Sequence, residues 1–181
     1  IAASMAMNKA LAKEMVSPYG ILVPRHVIVG VPPNIEARAG EIWQTFPQPS
    51  IVKPMNSGSS VGVTLAKSFM QFLDGIKNAF QYAKDVMVEE YIRGREATVG
   101  VIDGFRNQTL YSLPPVEIIL PQKCEIFDYS AKYGGTTQER CPAAFSRSDI
   151  ERLEEAARTV HQTLGLRHYS RSDFMVTPKG P

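Results

Sequence analysis

Apolar residues recur at helical spacing in three stretches of the chain and at strand spacing in six others, and that rhythm divides it before any chemistry is considered. The first helical stretch starts from a cap at Ser4 and runs to about Val16. Its apolar side is Met5, Met7, Leu11, Ala12 and Met15, Lys9 and Lys13 lie on or near the polar side, and Ser17-Pro18-Tyr19-Gly20 ends it. The second opens at Ser68, where Phe69, Phe72, Leu73, Ile76, Phe80 and Ala83 form an aromatic stripe that reads as core rather than as a cofactor box. In the third, Ser148 and Glu151 make a capping box, Ile150, Leu153, Ala157, Val160 and Leu164 form the buried stripe, and Gly165 supplies the stop. Strands are predicted over 26–31, 51–53, 61–65, 85–91, 96–102 and 169–176, and residues 32–49 read mostly as loop. Helices and strands interleave without internal repeats. The expected fold is therefore α+β with mixed or antiparallel sheets, dividing near Arg93-Gly94 into parts of 1–92 and 93–181.

Composition narrows the class further. A chain of 181 residues, 44% hydrophobic and 21% charged, can bury one substantial core or two small ones. The net charge of +2 gives no global field for nucleic acid, so any anion site must be local. Cys124 and Cys141 form no Cys-x-x-Cys pair and no cluster with His26, His161 or His168, which removes the usual zinc signatures and leaves reduced, part-buried thiols as the expectation. No apolar run approaches the ~20 residues of a membrane span and no signal peptide is visible, so a soluble cytoplasmic protein without a membrane partner is expected. The chain starts at Ile1 inside a helical pattern and stops at Gly180-Pro181 just after a strand. Both ends read as cut from a longer polypeptide.

Four polar constellations carry candidate chemistry. Ile51-Val52-Lys53 leads from a strand into a loop where Gly58 and Gly62 let backbone amides approach an anion and Ser57, Ser59 and Ser60 offer hydroxyls; this is either a phosphate grip or an ordinary connection. Val88-Glu89-Glu90-Tyr91-Ile92 is either a strand finishing at the surface or a hinge whose backbone meets an adenine edge, with Glu96 beyond the turn accepting from ribose hydroxyls. Residues 128–137 place Lys132 in a loop rich in Gly and hydroxyls, which either does nothing or closes over phosphates and excludes water. Arg171 and Asp173 stand two apart on a strand and so share a face, either as a surface ion pair or as an oxyanion contact beside a magnesium ligand.

Taken in order, these segments resemble the D-alanine-D-alanine ligases of the ATP-grasp superfamily. The resemblance rests on 3–9 (Ala-Ser-Met-Ala-Met-Asn-Lys), Val52-Lys53-Pro54 with 58–62, 88–92 with Gly94-Arg95-Glu96, 113–118, Phe127-Asp128-Tyr129 with Ala131-Lys132-Tyr133, Cys141-Pro142-Ala143 and 170–175. It covers essentially the whole chain, and the paired serines separate it from ATP-grasp carboxylases.

The resemblance implies an ATP-grasp fold in which two α+β subdomains clamp a nucleotide, with ATP and D-alanine as substrates, Mg²⁺ as cofactor, and a homodimer as the common state of the full-length protein. It implies nucleotide contacts at Lys9, Lys53, Ser59, Ser60, Val61, Glu89, Glu90, Tyr91, Ile92, Glu96, Phe127 and Lys132. Ser59, Tyr133 and Arg171 are implied in catalysis, and Asp173 in metal binding. The implied reaction passes through an acyl phosphate and serves peptidoglycan precursor synthesis. Alternatives are a nucleotide-binding module without ligase chemistry, or a relative that joins D-alanine to D-lactate or D-serine. Asn8 departs from the pattern, standing where an aspartate is usual. The family's remaining metal ligands are expected beyond Pro181 and its amino-terminal domain before Ile1. The free chain is therefore expected to lack ligase activity and to bind nucleotide weakly at best.

Overall fold

In the computed structural model the described residues are 2–55, 60–121, 126 and 137–181. They form two compact units, one of residues 24–91 and one of 2–23, 92–121 and 137–181. The first helical segment thus groups with the later part of the chain, whereas the sequence division placed it with residues up to 92. Every strand pairing among the described residues is antiparallel. The expected α+β class is what the chain adopts, and among the described residues the sheets have no parallel component.

The unit of residues 24–91 is a four-stranded sheet in the order β1-β4-β2-β3, built from β1 (His26–Gly30), β2 (Ser50–Pro54), β3 (Thr64–Ala66) and β4 (Asp85–Glu90). Two helices, α3 (Ile35–Thr45) and α4 (Phe69–Ala79), share its core. Ser68 caps α4 as the sequence predicts, its Oγ accepting from the Gln71 amide at 3.3 Å, and Phe72, Leu73 and Ile76 are buried. The helix stops at Ala79, so Ala83 falls outside it. Gly75 is in the buried stripe as well. A Cβ there would lie 3.0 Å from the Thr64 side chain, so glycine lets α4 approach β3 closely.

Helix α3 corrects the reading of 32–49 as loop. Asn34 caps it, accepting from the Ala37 amide at 2.9 Å, and Ala39 and Ile42 are buried while Trp43 packs on Phe69 and Phe72. Pro32, Pro33, Pro47 and Pro49 lie outside the helix rather than within it, where they mark its limits without breaking it.

The other unit contains α1 (Ala2–Met7), α2 (Lys9–Val16), a second sheet and α5 (Arg147–Thr163). The expected single helix over 4–16 is interrupted at Asn8, whose extended backbone (ψ 98°) makes it the N-cap of α2, its Oδ1 accepting from the Leu11 amide at 3.1 Å. An asparagine offers the backbone this alternative to helix continuation. In the second sheet the long central β5 (Arg95–Asp103) pairs along one edge with β9 (Tyr169–Val176) and along the other with β6 (Leu110–Ser112) and β7 (Val116–Ile119), and β8 (Gln138–Arg140) pairs with β7. Helix α5 covers one face, where Leu153 and Ala157 meet Ala97, Val99 and Val101.

Its cap is Ser146, not Ser148: Ser146 Oγ accepts from the Asp149 amide at 3.1 Å and lies 2.7 Å from the Asp149 carboxylate. The sequence contains two overlapping boxes, and the earlier one lengthens the helix by two residues while placing Asp149 in its electropositive first turn. Cys141 is exposed rather than part-buried, and Cys124 lies outside the described residues. No helix among the described residues is long and apolar enough to cross a membrane.

Candidate functional site

Strand alternation gives the first sheet two unlike faces. Val52, Val86 and Val88 point into the core beneath α3 and α4. The residues between them point the other way. On that second face the register sets His26, Glu89, Ile51 and Leu65 in one row, and Ile28, Met87 and Lys53 in the next. Lys53 Nζ lies 2.6 Å from Glu89 Oε2, across neighbouring strands and one row apart, with the two side chains only 19% and 12% exposed. A lysine that buried is costly without an acceptor beside it. Lys53 is thus a charge held in a defined place on the face that carries no helix of this unit.

The end of β4 is largely engaged by its own unit. The Glu90 amide donates to Arg25 O at 3.0 Å, Glu90 Oε1 accepts from the Arg25 amide at 2.8 Å, and the Tyr91 amide donates to Pro49 O at 3.3 Å. The Ile92 N–H, next in line, has no partner among the described residues. After the serine loop, Ser60 and Gly62 both have left-handed backbone, φ 57° and 72°. Such a turn can aim successive amides to one side. Val61 lies between them.

The second sheet repeats the division. Opposite α5, the register places Glu96 across from Met175, Thr98 from Asp173 and Gly100 from Arg171. Thr98 Oγ1 donates to Asp173 Oδ1 at 2.8 Å, and Arg171 Nε stands 3.5 Å from the same oxygen, with side chains 70% and 56% exposed. Arg171, Asp173, Thr98 and Glu96 therefore share the sheet face opposite α5, with the arginine and carboxylate open to solvent. Lys9 begins α2 directly after the Asn8 cap. Ser59, Phe127, Lys132 and Tyr133 lie outside the described residues.

For magnesium the fit is partial. No group of three His, Cys, Asp or Glu that could hold a metal occurs among the described residues. Asp173 supplies one exposed carboxylate, a donor type suited to Mg²⁺, which usually takes one or two carboxylates with phosphate oxygens and waters.

Two buried polar groups escaped sequence reasoning. Glu117 on β7 takes Arg95 Nε and Nη2 at 2.8 and 2.6 Å and the Ala144 amide at 3.3 Å, while Arg95 also lies over the Phe145 ring at 4.3 Å. His161 on α5 has Nδ1 2.7 Å from Ser170 Oγ and Nε2 2.9 Å from Asp103 Oδ1, the latter without hydrogen-bond alignment. Only their distant partners explain why a polar residue is tolerated there.

Two α+β units with antiparallel sheets, each with charged residues on the sheet face opposite its core helices, define an ATP-grasp ligase fold. The family model described as D-ala D-ala ligase C-terminus matches residues 16–181, and the chain belongs to that family. It is 34% identical over 180 residues to a D-alanine–D-alanine ligase of Syntrophobacter fumaroxidans, covering 98% of this chain and 56% of that protein. It is 36% identical to one of Desulfotalea psychrophila, covering 99% and 55%. The VanG D-Ala:D-Ser ligase of Enterococcus faecalis superposes with a TM-score of 0.83 at 32% identity, over 99% of this chain and 51% of that one. A D-alanine–D-alanine ligase from Bacillus anthracis gives 0.77 at 27%, over 99% and 56%. The chain thus spans about half the length of the proteins it matches.

Proposed function

We propose that this chain is the nucleotide-binding part of an ATP-dependent ligase that joins two D-alanines for peptidoglycan precursors. Family membership over nearly its whole length carries the reading, supported by the position of Lys53. In the proposed reaction the carboxylate of one D-alanine attacks the γ-phosphate of ATP, giving an acyl phosphate and ADP. The amine of the second D-alanine then displaces phosphate. Such phosphoryl transfer depends on positioning and charge stabilisation rather than a side-chain nucleophile. Lys9, Lys53, Ser60 and Lys132 are assigned to the phosphates, the Ile92 amide to the adenine edge, Glu96 to the ribose, Arg171 to the developing charge and Asp173 to Mg²⁺. The metal would neutralise phosphate charge. Ser59 and Tyr133 are assigned to ordering the substrates. The boundary between the two ATP-grasp subdomains is assigned near residue 92, with the segment before residue 24 belonging to the later one, and the cytoplasm, where ATP is supplied, is assigned as the location.

The test has two arms. Displacement of a fluorescent ADP analogue should show binding by the 181-residue chain that Lys53→Ala abolishes, while phosphate release with ATP and D-alanine stays at background for a chain spanning half of its relatives. Absence of adenine nucleotide binding would refute the assignment, and robust turnover would refute the need for residues outside this chain. The superposition on a D-Ala:D-Ser ligase favours a second reading, in which D-serine is the second substrate. Product identification by mass spectrometry on the polypeptide containing this chain, supplied with both amino acids, separates the two.

A further inference from the structure

We propose that His161 is a positioning residue for the reaction, anchoring the start of β9 so that Arg171 and Asp173 are held in place on the face opposite α5. The inference rests on the functional reading above in one respect, the assignment of those two residues to the reaction. A strand slipped by one residue exchanges its two faces, and apolar burial is what usually prevents it. In β9 that burial is confined to the far end, where Phe174 and Val176 pack into the cluster beneath α5. Residues 170–173, Ser-Arg-Ser-Asp, are polar on both faces, with Ser170 and Ser172 half-buried on the α5 side and Arg171 and Asp173 exposed on the other. The cost of burying charge opposes a slipped pairing, but it does nothing to hold this half of the strand against the sheet.

His161 supplies the hold. From the last turn of α5 its ring, only 1% exposed, sets Nδ1 2.7 Å from Ser170 Oγ, with Nε2 facing Asp103 Oδ1 at 2.9 Å. Asp103 ends β5 and fixes the turn into β9: its Oδ2 accepts the His168 amide at 2.6 Å, and its own amide donates to His168 O at 2.9 Å. His168 has left-handed backbone, φ 69°, which a residue with a side chain keeps only where its surroundings impose it. One enclosed imidazole is therefore lodged between the carboxylate that sets the turn and the hydroxyl one residue before Arg171. Ser170 stands across from Val101, Arg171 from Gly100 and Asp173 from Thr98, so a hold at Ser170 sets where the next rungs lie. A shift of about 1 Å in groups aligned on a reaction can cost on the order of 100-fold in rate.

His161→Phe keeps a planar ring and removes its polar atoms, and Ser170→Ala removes the hydroxyl from the other side. Ser112→Ala is the control, because it deletes the 2.6 Å contact that Arg158, one turn earlier on α5, makes with β6. In the polypeptide containing this chain, His161→Phe should lower kcat for phosphate release with D-alanine by ~10-fold and change KM for ATP by less than ~3-fold, as loss of an alignment needed in the transition state requires. Hydrogen exchange read by mass spectrometry should be at least ~10-fold faster in peptides covering 168–173 and unchanged in those covering β2 and β4. His161→Phe with Ser170→Ala should lose no more than the larger single loss, because the two side chains act as one contact. Ser112→Ala should leave kcat and the exchange of 168–173 unchanged.

Unchanged exchange over 168–173 in His161→Phe would overturn the proposal, and so would faster exchange with kcat intact. Additive losses in the double variant, or a loss in Ser112→Ala as large as in His161→Phe, would overturn it as well by making the effect one of general α5 packing. If the unmodified polypeptide releases no phosphate with ATP and D-alanine, the functional reading fails and the link from His161 to the reaction fails with it. The exchange measurement does not depend on activity, so it separates that failure from a failure of the anchor itself.

Discussion

Replacing Glu117 by alanine removes the acceptor around which one end of the second sheet is organised. The carboxylate, only 7% exposed, takes two nitrogens of Arg95 and the Ala144 amide and lies 3.6 Å from Arg140 Nη1. Deleting one partner of a buried ion pair costs about 3–5 kcal/mol when the other charge is left stranded. Here Arg95 is half exposed, still reaches Ala144 O at 2.8 Å and still lies over Phe145, so water and these contacts recover part of the loss. Discounting for that screening leaves about 2–3 kcal/mol for Glu117→Ala, and about half as much for Glu117→Gln, which keeps the shape and one acceptor.

The control is Glu151→Ala, which removes the same kind of partner from Arg147 in a pair whose side chains are 94% and 63% exposed. It should change stability by less than about 0.5 kcal/mol. Urea denaturation followed by far-UV circular dichroism, with the slopes compared, measures all three variants. If Glu117→Ala is no more costly than Glu151→Ala, burial is not what gives this carboxylate its weight. If Glu117→Gln costs as much as Glu117→Ala, shape and the retained acceptor contribute nothing.

Substitutions at three further positions probe the fold around the candidate site. Phe72→Ala removes a fully buried ring that packs on Trp43 and should cost about 3–5 kcal/mol, read as a lowered urea midpoint. Gly62→Ala should cost about 2 kcal/mol in the same measurement, because φ is 72° and the new Cβ would lie 2.8 Å from the Tyr82 ring and 2.9 Å from Pro54; a neutral outcome would mean that the turn is not needed in this form. Asn8→Ala should cost about 1 kcal/mol through loss of the α2 cap, whereas Asn8→Asp should stay within about 0.5 kcal/mol, since either side chain accepts the Leu11 amide. A loss in Asn8→Asp as large as in Asn8→Ala would show that capping is not what residue 8 contributes.

The Asn8 case shows what local reading can and cannot do. The departure from aspartate is visible in the sequence, but its consequence is not, because residue 8 looks like the middle of a helix until the backbone is seen to turn there. Helix α3 is the converse. Its stripe of Ile35, Ala39, Ile42 and Trp43 has helical spacing and Asn34 is a good cap, yet Gly40 and the bordering prolines outweighed that signal. At the start of α5 both serines satisfy the same box, and propensity does not rank them.

By itself the sequence determined the order of most elements, the inward stripes of α4 and α5, and the parity that puts Arg171 with Asp173 and Lys53 with Ile51, because side-chain periodicity is a property of a few consecutive residues. It also held the ordered motifs that mark the family. Tertiary structure alone decided which face of each sheet packs on the core helices, and so which charged residues lie on the opposite face. It alone decided that Lys53 meets Glu89 and that Glu117 gathers Arg95 and Arg140. Those outcomes depend on strand register and on partners remote in the chain, and a buried charge is stable only where such partners happen to converge.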